Sequence, residues 1–229
     1  MADDLRCVEV ETGGPIRSAV IWLHGLGADG RDFESVVPYL GLEGLGVRFV
    51  LPHAPRRAVT INMGLIMPAW FDIRDPDLHA APDRKGIGES AAQVEALVAR
   101  EKARGVVAGR IVLAGFSQGG VIALYVALRH AERLAGVIAL STLLPEDPSL
   151  ASEASLANRG LPIFQAHGTD DPMIPMDLGE GTRDRLTALG YPVTWKAYPM
   201  QHEVHPDEIA DIGAWLRERL AGAGKEAAR

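Results

Sequence analysis

The sequence predicts an α/β fold with a mostly parallel central sheet covered by helices on both faces. Short apolar runs alternate along the chain with longer amphipathic stretches, which is the pattern of repeated strand–helix units. Most of the short runs are apolar throughout and rich in branched residues, as strands buried on both faces are. A chain of 229 residues can bury one sizeable core, so we expect a single domain over residues 1–229.

The alternation of apolar runs and amphipathic stretches predicts where each strand and helix lies. Strands are expected at residues 19–23, 47–51, 110–114, 136–140, 163–166 and 193–197. Helices are expected at residues 31–40, 87–104, 119–130, 178–189 and 206–220. In the last helix, apolar residues recur at spacings of three and four and so share one face: Ile209, Ile212, Leu216 and Leu220. The small and charged residues 221–229 are expected to fray.

Composition excludes several classes of function. The net charge of −7, without a basic stripe, argues against a nucleic-acid partner. The lone cysteine, Cys7, rules out an internal disulfide and suits a reducing compartment. The first residues lack a basic region followed by an apolar one, and no apolar run has the length of a membrane span. A cytoplasmic protein is therefore expected, and a homodimer is allowed but not indicated.

The segment Gly-Phe-Ser-Gln-Gly at residues 115–119 lies between a predicted strand and a predicted helix. A serine there lies on a tight turn that lifts its hydroxyl clear of the sheet. The flanking glycines tolerate unusual backbone angles and let neighbouring backbone pass close by. The Gln118 N–H and the positive end of the helix would then face a developing oxyanion. Ser117 is therefore the candidate nucleophile.

A serine nucleophile needs a base, and the base needs a carboxylate behind it. In folds with such a turn, the order along the chain is serine, acid, histidine, each in a loop after a strand. His130 falls near the end of a helix, and His167 precedes the acid candidates. His202 and His205 both follow the predicted strand 193–197. We favour His202 because it lies in the middle of the loop, whereas His205 lies almost at the next helix.

The acid is expected in His-Gly-Thr-Asp-Asp-Pro at residues 167–172, directly after the predicted strand 163–166. Asp170 and Asp171 are both candidates. Either could instead form an Asx turn or cap a helix, as Asp in a proline-rich loop often does. Position along the chain does not separate the two.

A second oxyanion donor is expected in His-Gly-Leu-Gly-Ala-Asp-Gly at residues 24–30, after the strand 19–23. The glycines would let the backbone N–H of Leu26 face the site without obstruction. A phosphate-binding loop is the alternative, but the segment lacks the Gly-Lys-Ser/Thr ending of a P-loop and fits G-x-G-x-x-G only weakly. No acidic residue ends a suitable second strand for dinucleotide binding. We therefore do not expect this loop to bind a phosphate or a dinucleotide. Nucleophilic catalysis by a serine requires no metal and no organic cofactor, so we predict neither.

Residues 52–86 interrupt the alternation, with five prolines and no sustained periodicity. A loop this long inside a compact domain is more often functional than idle. Met67 and Trp70 there, with Met173 further along, are candidates for the wall of an apolar acyl pocket. The alternative is that the apolar residues of this segment pack over the sheet edge.

Together these motifs resemble the carboxylesterase/acyl-protein thioesterase family of α/β-hydrolases over residues 20–216. The blocks that carry the resemblance lie at residues 21–30, 51–55, 68–73, 114–120, 167–172 and 198–204. By position, the resemblance implies Ser117 as nucleophile, His202 as base, Asp171 as acid, and the backbone of Leu26 and Gln118 as oxyanion donors. The residues after the base, Glu-Val at 203–204, are most similar to the bacterial esterase-like members.

The resemblance implies a serine hydrolase that cleaves carboxylic esters of small to medium acyl chain through an acyl-enzyme. Acyl-protein thioesterase or lysophospholipase activity on longer chains is the alternative, and a non-catalytic binding module on this fold is a remote one. Family members usually carry Gly where Gln201 stands. If that position needed a positive φ, Gln201 would strain or shift the loop that holds His202.

Overall fold

The computed structural model describes residues 5–78 and 81–221. The segment predicted to fray, residues 221–229, lies outside this range except for Ala221, which ends the last helix.

A seven-stranded sheet forms the centre of the molecule, in the order β1-β3-β2-β6-β7-β8-β9. Every neighbouring pair is parallel except β1, which runs antiparallel to β3 at one edge. β4 and β5 form a separate antiparallel hairpin. The strands are β1 Cys7–Glu11, β2 Ser18–Leu23, β3 Val47–Pro52, β4 Arg56–Val59, β5 Leu65–Pro68, β6 Ile111–Phe116, β7 Gly136–Leu140, β8 Ile163–Gly168 and β9 Val193–Tyr198. The predicted mostly parallel sheet is confirmed.

The helices lie close to four of the predicted positions. They are α1 Arg84–Ala103, α2 Gln118–Arg129, α3 Leu150–Glu153, α4 Met176–Ala188 and α5 Pro206–Ala221. The short α3 was not predicted. Among the residues that the structure describes, no helix combines the length and the apolar character that a membrane crossing requires.

The predicted helix at residues 31–40 is wrong. The chain there runs through successive turns and closes with a single 3₁₀ turn, Val37–Leu40. Asp29 accepts the backbone N–H of Arg31 through its side chain, which stabilises a turn rather than a helix. Pro38 removes a backbone donor, and Gly41 ends the 3₁₀ turn in the left-handed conformation.

β1 and the hairpin were not predicted from the sequence. β1 reads Cys-Val-Glu-Val-Glu, and this alternation is the signal that could have identified it as an edge strand. Glu11 accepts from Arg48 on β3 at 2.9 Å, which fixes the pairing at that edge. The hairpin lies inside the segment predicted as a loop, because its strands are too short to show a clear period.

The core lies on both faces of the central sheet, so the predicted two-sided covering is confirmed. One apolar cluster joins Ile21 and Leu113 to residues of α1 and α2. The other joins Val20 and Val112 to residues of α5. Because the parallel strands share one direction, the loops after β2, β6, β8 and β9 meet at their carboxyl edge, where ligands bind in open α/β sheets.

Candidate active site

Ser117 lies on the turn between β6 and α2 with φ 54° and ψ −122°, a backbone conformation that L-residues rarely adopt. Its flanking glycines do not have positive φ. They are required by space: a Cβ at Gly115 would overlap the carbonyl of Gly119, and a Cβ at Gly119 would overlap the carbonyl of Leu23. Thr142 donates to the Ser117 carbonyl at 2.7 Å. The strain of the turn therefore falls on the serine, and the surrounding contacts fix it.

Asp171 lies in the loop after β8 with a fully buried side chain. Its Oδ1 accepts the backbone N–H groups of Met173 at 2.8 Å and Ile174 at 2.9 Å. Its Oδ2 accepts from Nδ1 of His202 at 2.7 Å. Two backbone donors thus orient the carboxylate, and its second oxygen holds the imidazole.

His202 lies in the loop after β9, and its ring packs against Phe116 with a centroid distance of 4.7 Å. Because a carboxylate only accepts, Nδ1 carries the proton in the bond to Asp171. Nε2 is therefore the nitrogen left to take a proton from another group. His202 and Ser117 line the same cavity.

The other acid and base candidates lie in different surroundings. The exposed Asp170 carboxylate accepts from the neighbouring Thr169 hydroxyl. The His205 ring stacks on Tyr198, and its Nδ1 accepts the backbone N–H of Asp207. Nδ1 of His130, after α2, pairs with Glu95 of α1. Among the described residues, Asp171 and His202 are the one acid candidate and base candidate that a hydrogen bond joins.

The place of His167 was not predicted from the sequence, in which it is a candidate only for the base. It is fully buried next to Asp171, with Nε2 2.8 Å from the Ile174 carbonyl and 3.7 Å from Oδ2 of Asp171. A Cβ at Gly179 of α4 would overlap its ring. Its position as the penultimate residue of β8, four residues before Asp171, is the signal that could have indicated a supporting role.

Leu26 and Gln118 approach the cavity from two different loops. The Gly27 N–H donates to the Pro68 carbonyl at 2.9 Å, which holds the loop after β2. Within residues 5–78 and 81–221, the Leu26 N–H has no protein acceptor, and the Gln118 N–H opens helix α2. Both residues line the cavity together with Ser117.

The cavity has a volume of about 520 Å³ and a mainly apolar lining. Met67 and Met173, which the sequence predicts for the wall of an acyl pocket, line this cavity, and Phe71 adds an aromatic face. Trp70 does not, and its prediction as a pocket residue is wrong. Its indole N–H donates to the His24 carbonyl at 2.8 Å, and this bond holds the fully buried ring within the core.

Gln201 does not strain the histidine loop. The non-glycine residues with positive φ in the described chain are Met63, Ser117 and Ser141. The loop is instead held by the acid loop, where Asp170 N–H donates to the Met200 carbonyl at 3.1 Å. The two loops approach each other closely at Gly168, where a Cβ would overlap the Gln201 carbonyl.

No group of three or more His, Cys, Asp or Glu side chains is placed to hold a metal ion anywhere in residues 5–78 and 81–221.

The fold and this arrangement of Ser117, Asp171 and His202 define the class as an α/β-hydrolase. The model of the phospholipase/carboxylesterase family matches residues 6–220, and the chain belongs to this family. It is therefore a serine hydrolase that acts on carboxylic ester or thioester bonds.

Relatives and solved structures agree with this family. Acyl-protein thioesterase 1 of Gibberella zeae is 38% identical over 213 residues, covering 89% of this chain and 91% of that protein. Acyl-protein thioesterase 2 of Zea mays has a TM-score of 0.84 and 29% identity, covering 94% of this chain and 99% of that one. SOBER1 of Arabidopsis thaliana has a TM-score of 0.84 and 31% identity, covering 89% and 99%.

Proposed function

We propose that the chain hydrolyses acyl esters and acyl thioesters with Ser117 as nucleophile, His202 as base and Asp171 as orienting acid, without a cofactor. One observation carries the proposal. Nδ1 of His202 donates to the buried Asp171 carboxylate at 2.7 Å, in the cavity that Ser117 enters from its strained turn.

In the first half of the reaction, Nε2 of His202 takes the proton of the Ser117 hydroxyl as Oγ attacks the acyl carbon. The carbonyl π bond opens, and its electron pair moves to oxygen. As the tetrahedral species collapses, His202 gives the proton to the departing alcohol or thiol. Asp171 stabilises the imidazolium that exists between these two proton transfers.

In the second half, water replaces the leaving group. His202 takes a proton from water, the resulting oxygen nucleophile attacks the acyl-enzyme, and Ser117 recovers its proton as the carboxylic acid leaves. Both halves pass through an oxyanion that the backbone N–H groups of Leu26 and Gln118 stabilise. Removing one donor of such a pair costs about 10²–10³ in kcat.

The acyl chain occupies the apolar cavity. Met67, Phe71 and Met173 supply flexible thioether and aromatic surface, which adapts to chains of different shape. Each methylene buried there contributes about 0.8 kcal/mol, close to fourfold in kcat/KM, until the cavity is full. Esters of small to medium acyl chain are therefore the expected substrates.

Thioester hydrolysis on acylated proteins is the second candidate function. The relatives named acyl-protein thioesterase, at 38% and 35% identity, favour it, and the same groups can cleave both kinds of bond. Rates on matched oxygen esters and thioesters of increasing acyl length, free and attached to a peptide cysteine, would decide between the two. A preference for long-chain acyl peptides would make the thioesterase the main function.

The experiment that tests the catalytic assignment is Ser117→Ala. We expect kcat to fall by about 10⁴–10⁶ while the protein stays folded. Ser141→Ala is the matched control, because Ser141 is also buried and has positive φ but does not line the cavity. A folded Ser117→Ala protein that keeps more than about a tenth of the wild-type rate would remove Ser117 from its role.

We also propose that the chain forms a single domain that works in the cytoplasm. The two apolar clusters share the strands of one sheet, which supports a single folding unit. The unpaired, half-buried thiol of Cys7 suits a reducing compartment. Limited proteolysis should leave one large fragment, and fractionation of cells should place the activity in the cytosol.

A further inference from the structure

The side chain of Gln118 makes two buried hydrogen bonds that no part of the proposed reaction uses. Gln118 is 3% exposed, and its Oε1 accepts the backbone N–H of Trp70 at 2.7 Å. Its Nε2 donates to the Phe71 carbonyl at 2.7 Å. The residue whose backbone offers one oxyanion donor is thus tied by its side chain to residues 70–71.

Trp70 continues this connection to the second donor. Its indole N–H donates to the His24 carbonyl at 2.8 Å, two residues before Leu26. Ser90 donates to the Trp70 carbonyl from α1, so both ends of the residue are held. His24 is itself fixed, since Nδ1 donates to the Gly25 carbonyl at 2.7 Å and Nε2 accepts the Ala54 N–H at 3.0 Å.

We propose that Trp70 and the side chain of Gln118 are positioning residues that set the distance between the two oxyanion donors. The inference rests on the proposed function, which assigns those donors to Leu26 and Gln118. The donors belong to different loops, and each must lie within about 2.7–3.1 Å of the oxyanion to stabilise it. A buried, fully hydrogen-bonded chain from Gln118 through Trp70 to His24 joins the loops. Such networks hold one geometry because leaving any member unpaired is costly.

The main test is Trp70→Phe, which removes the indole N–H and keeps an aromatic ring. Trp22→Phe is the matched control: Trp22 is 1% exposed, lies on β2, and its indole N–H has no partner in the described residues. Both variants shrink a buried ring, so losses from packing are comparable. We expect Trp70→Phe to lower kcat by about 10- to 100-fold, the cost of a small misplacement at a reacting centre, and Trp22→Phe to leave kcat unchanged.

A pair of substrates separates positioning from general damage to the fold. An oxygen ester and the matching thionoester, which has sulfur in place of the carbonyl oxygen, react by the same steps. Sulfur accepts hydrogen bonds weakly, so the thionoester gains little from the two N–H donors. We expect the ratio of oxo to thiono rates to fall in Trp70→Phe and to stay at the wild-type value in Trp22→Phe. Equal losses on both substrates would overturn the proposal.

A second variant and a measurement on the unaltered protein cover the case in which Trp70→Phe does not fold. Gln118→Met keeps the length of the side chain and the backbone N–H but loses both bonds to residues 70–71, and the same fall in the rate ratio is expected. In the wild-type protein, Oγ of Ser117 adds to the boron of an alkylboronic acid, and its proton passes to His202. The indole N–H signal of Trp70 should then shift in a ¹⁵N spectrum while that of Trp22 does not. An unshifted Trp70 signal would count against the proposal.

Different results would contradict the proposed function and the positioning role. An active, folded Ser117→Ala protein would end the proposed function itself. An inactive Ser117→Ala protein, together with an unchanged oxo-to-thiono ratio in Trp70→Phe and Gln118→Met, would end only the positioning role.

Discussion

Two regions border the cavity and are built differently. The catalytic turns, defined as residues 116–118, 168–174 and 199–205, lie at the carboxyl ends of β6, β8 and β9, and hydrogen bonds join the second of these turns to the third. The hairpin, defined as residues 56–68, forms a two-stranded sheet of its own in the described structure. The turn between its strands contains Met63, which is 98% exposed. Leu65 and Ile66 on the hairpin are also exposed.

The catalytic turns hold the groups proposed to react, whereas the hairpin contributes to the shape of the cavity. In the catalytic turns, an acid is held by two N–H groups and a histidine by that acid, so atoms are fixed to the accuracy that proton transfer needs. In the hairpin, Met67 lines the cavity, while Leu65 and Ile66 of the same strand are exposed to solvent. The side chains of the hairpin can therefore change, and with them the substrate range, while the backbone bond from the Gly27 N–H to the Pro68 carbonyl keeps the loop after β2 in place.

The largest effect that tests this contrast within the catalytic turns comes from the neighbouring aspartates. Asp171→Asn keeps an oxygen for the two backbone donors but can no longer accept from Nδ1 of His202, so the imidazole loses its tautomer. We expect kcat to fall by about 10³–10⁴. Asp170→Asn, at an exposed carboxylate, should change kcat by less than about tenfold. Steady-state rates on one ester are sufficient, and the reverse ranking would exchange the roles of the two residues.

The next effect concerns stability, because the buried Glu208 carboxylate lies beside the last catalytic turn and accepts only one hydrogen bond among the described residues. Burial raises the pKa of Glu208, on α5, to about 7, although its carboxylate accepts the His205 N–H. Its Oε1 has no partner among the described residues. From pH about 4.5 to 7 the native state keeps a proton that the unfolded state has lost, so stability falls as the pH rises through this range.

Glu208→Gln should remove that fall and raise the free energy of unfolding at pH 8 by at most about 3 kcal/mol. Urea denaturation at pH 5 and pH 8 measures both values. Asp207→Asn, one residue away and exposed, is the control and should keep the pH dependence of the wild type. A Glu208→Gln protein whose stability still declines between these pH values would mean that other groups cause the dependence.

The smallest effect tests the role of the hairpin in shape. Met67→Ala should lower the preference for octanoyl over acetyl esters by roughly tenfold, the contribution of one or two buried methylenes, and spare the acetyl ester. Leu65→Ala, on the same strand but exposed, should leave the chain-length profile unchanged. If Met67→Ala reduced both esters equally, the hairpin would support the catalytic turns rather than the acyl chain.

Features that depend on residues close together in the sequence could be predicted, and features that depend on distant contacts could not. The turn at Ser117 is specified within five residues, because only glycines at 115 and 119 leave room for the backbone that crosses there. The choice between Asp170 and Asp171 could not be made locally. It depends on a bond to His202, 31 positions further along the chain, and only the family resemblance indicated it.

The position of Trp70 also depends on a contact far away in the sequence. Its apolar character was visible in the sequence, and a place in the cavity wall was a reasonable inference from it. Its actual place depends on an indole bond to His24, 46 positions earlier in the chain. Burial next to the cavity and burial within its wall demand the same residue types, so composition does not distinguish them.

The backbone at Ser117 has a consequence for how this enzyme can evolve. A serine with φ 54° and ψ −122° costs on the order of 1–3 kcal/mol, and glycine would adopt the same conformation freely. We therefore expect Ser117→Gly to be inactive yet more resistant to heat than the wild type, by about 1 kcal/mol in unfolding free energy. Selection for stability alone would replace the proposed nucleophile with glycine, and selection for turnover is what keeps the hydroxyl in place.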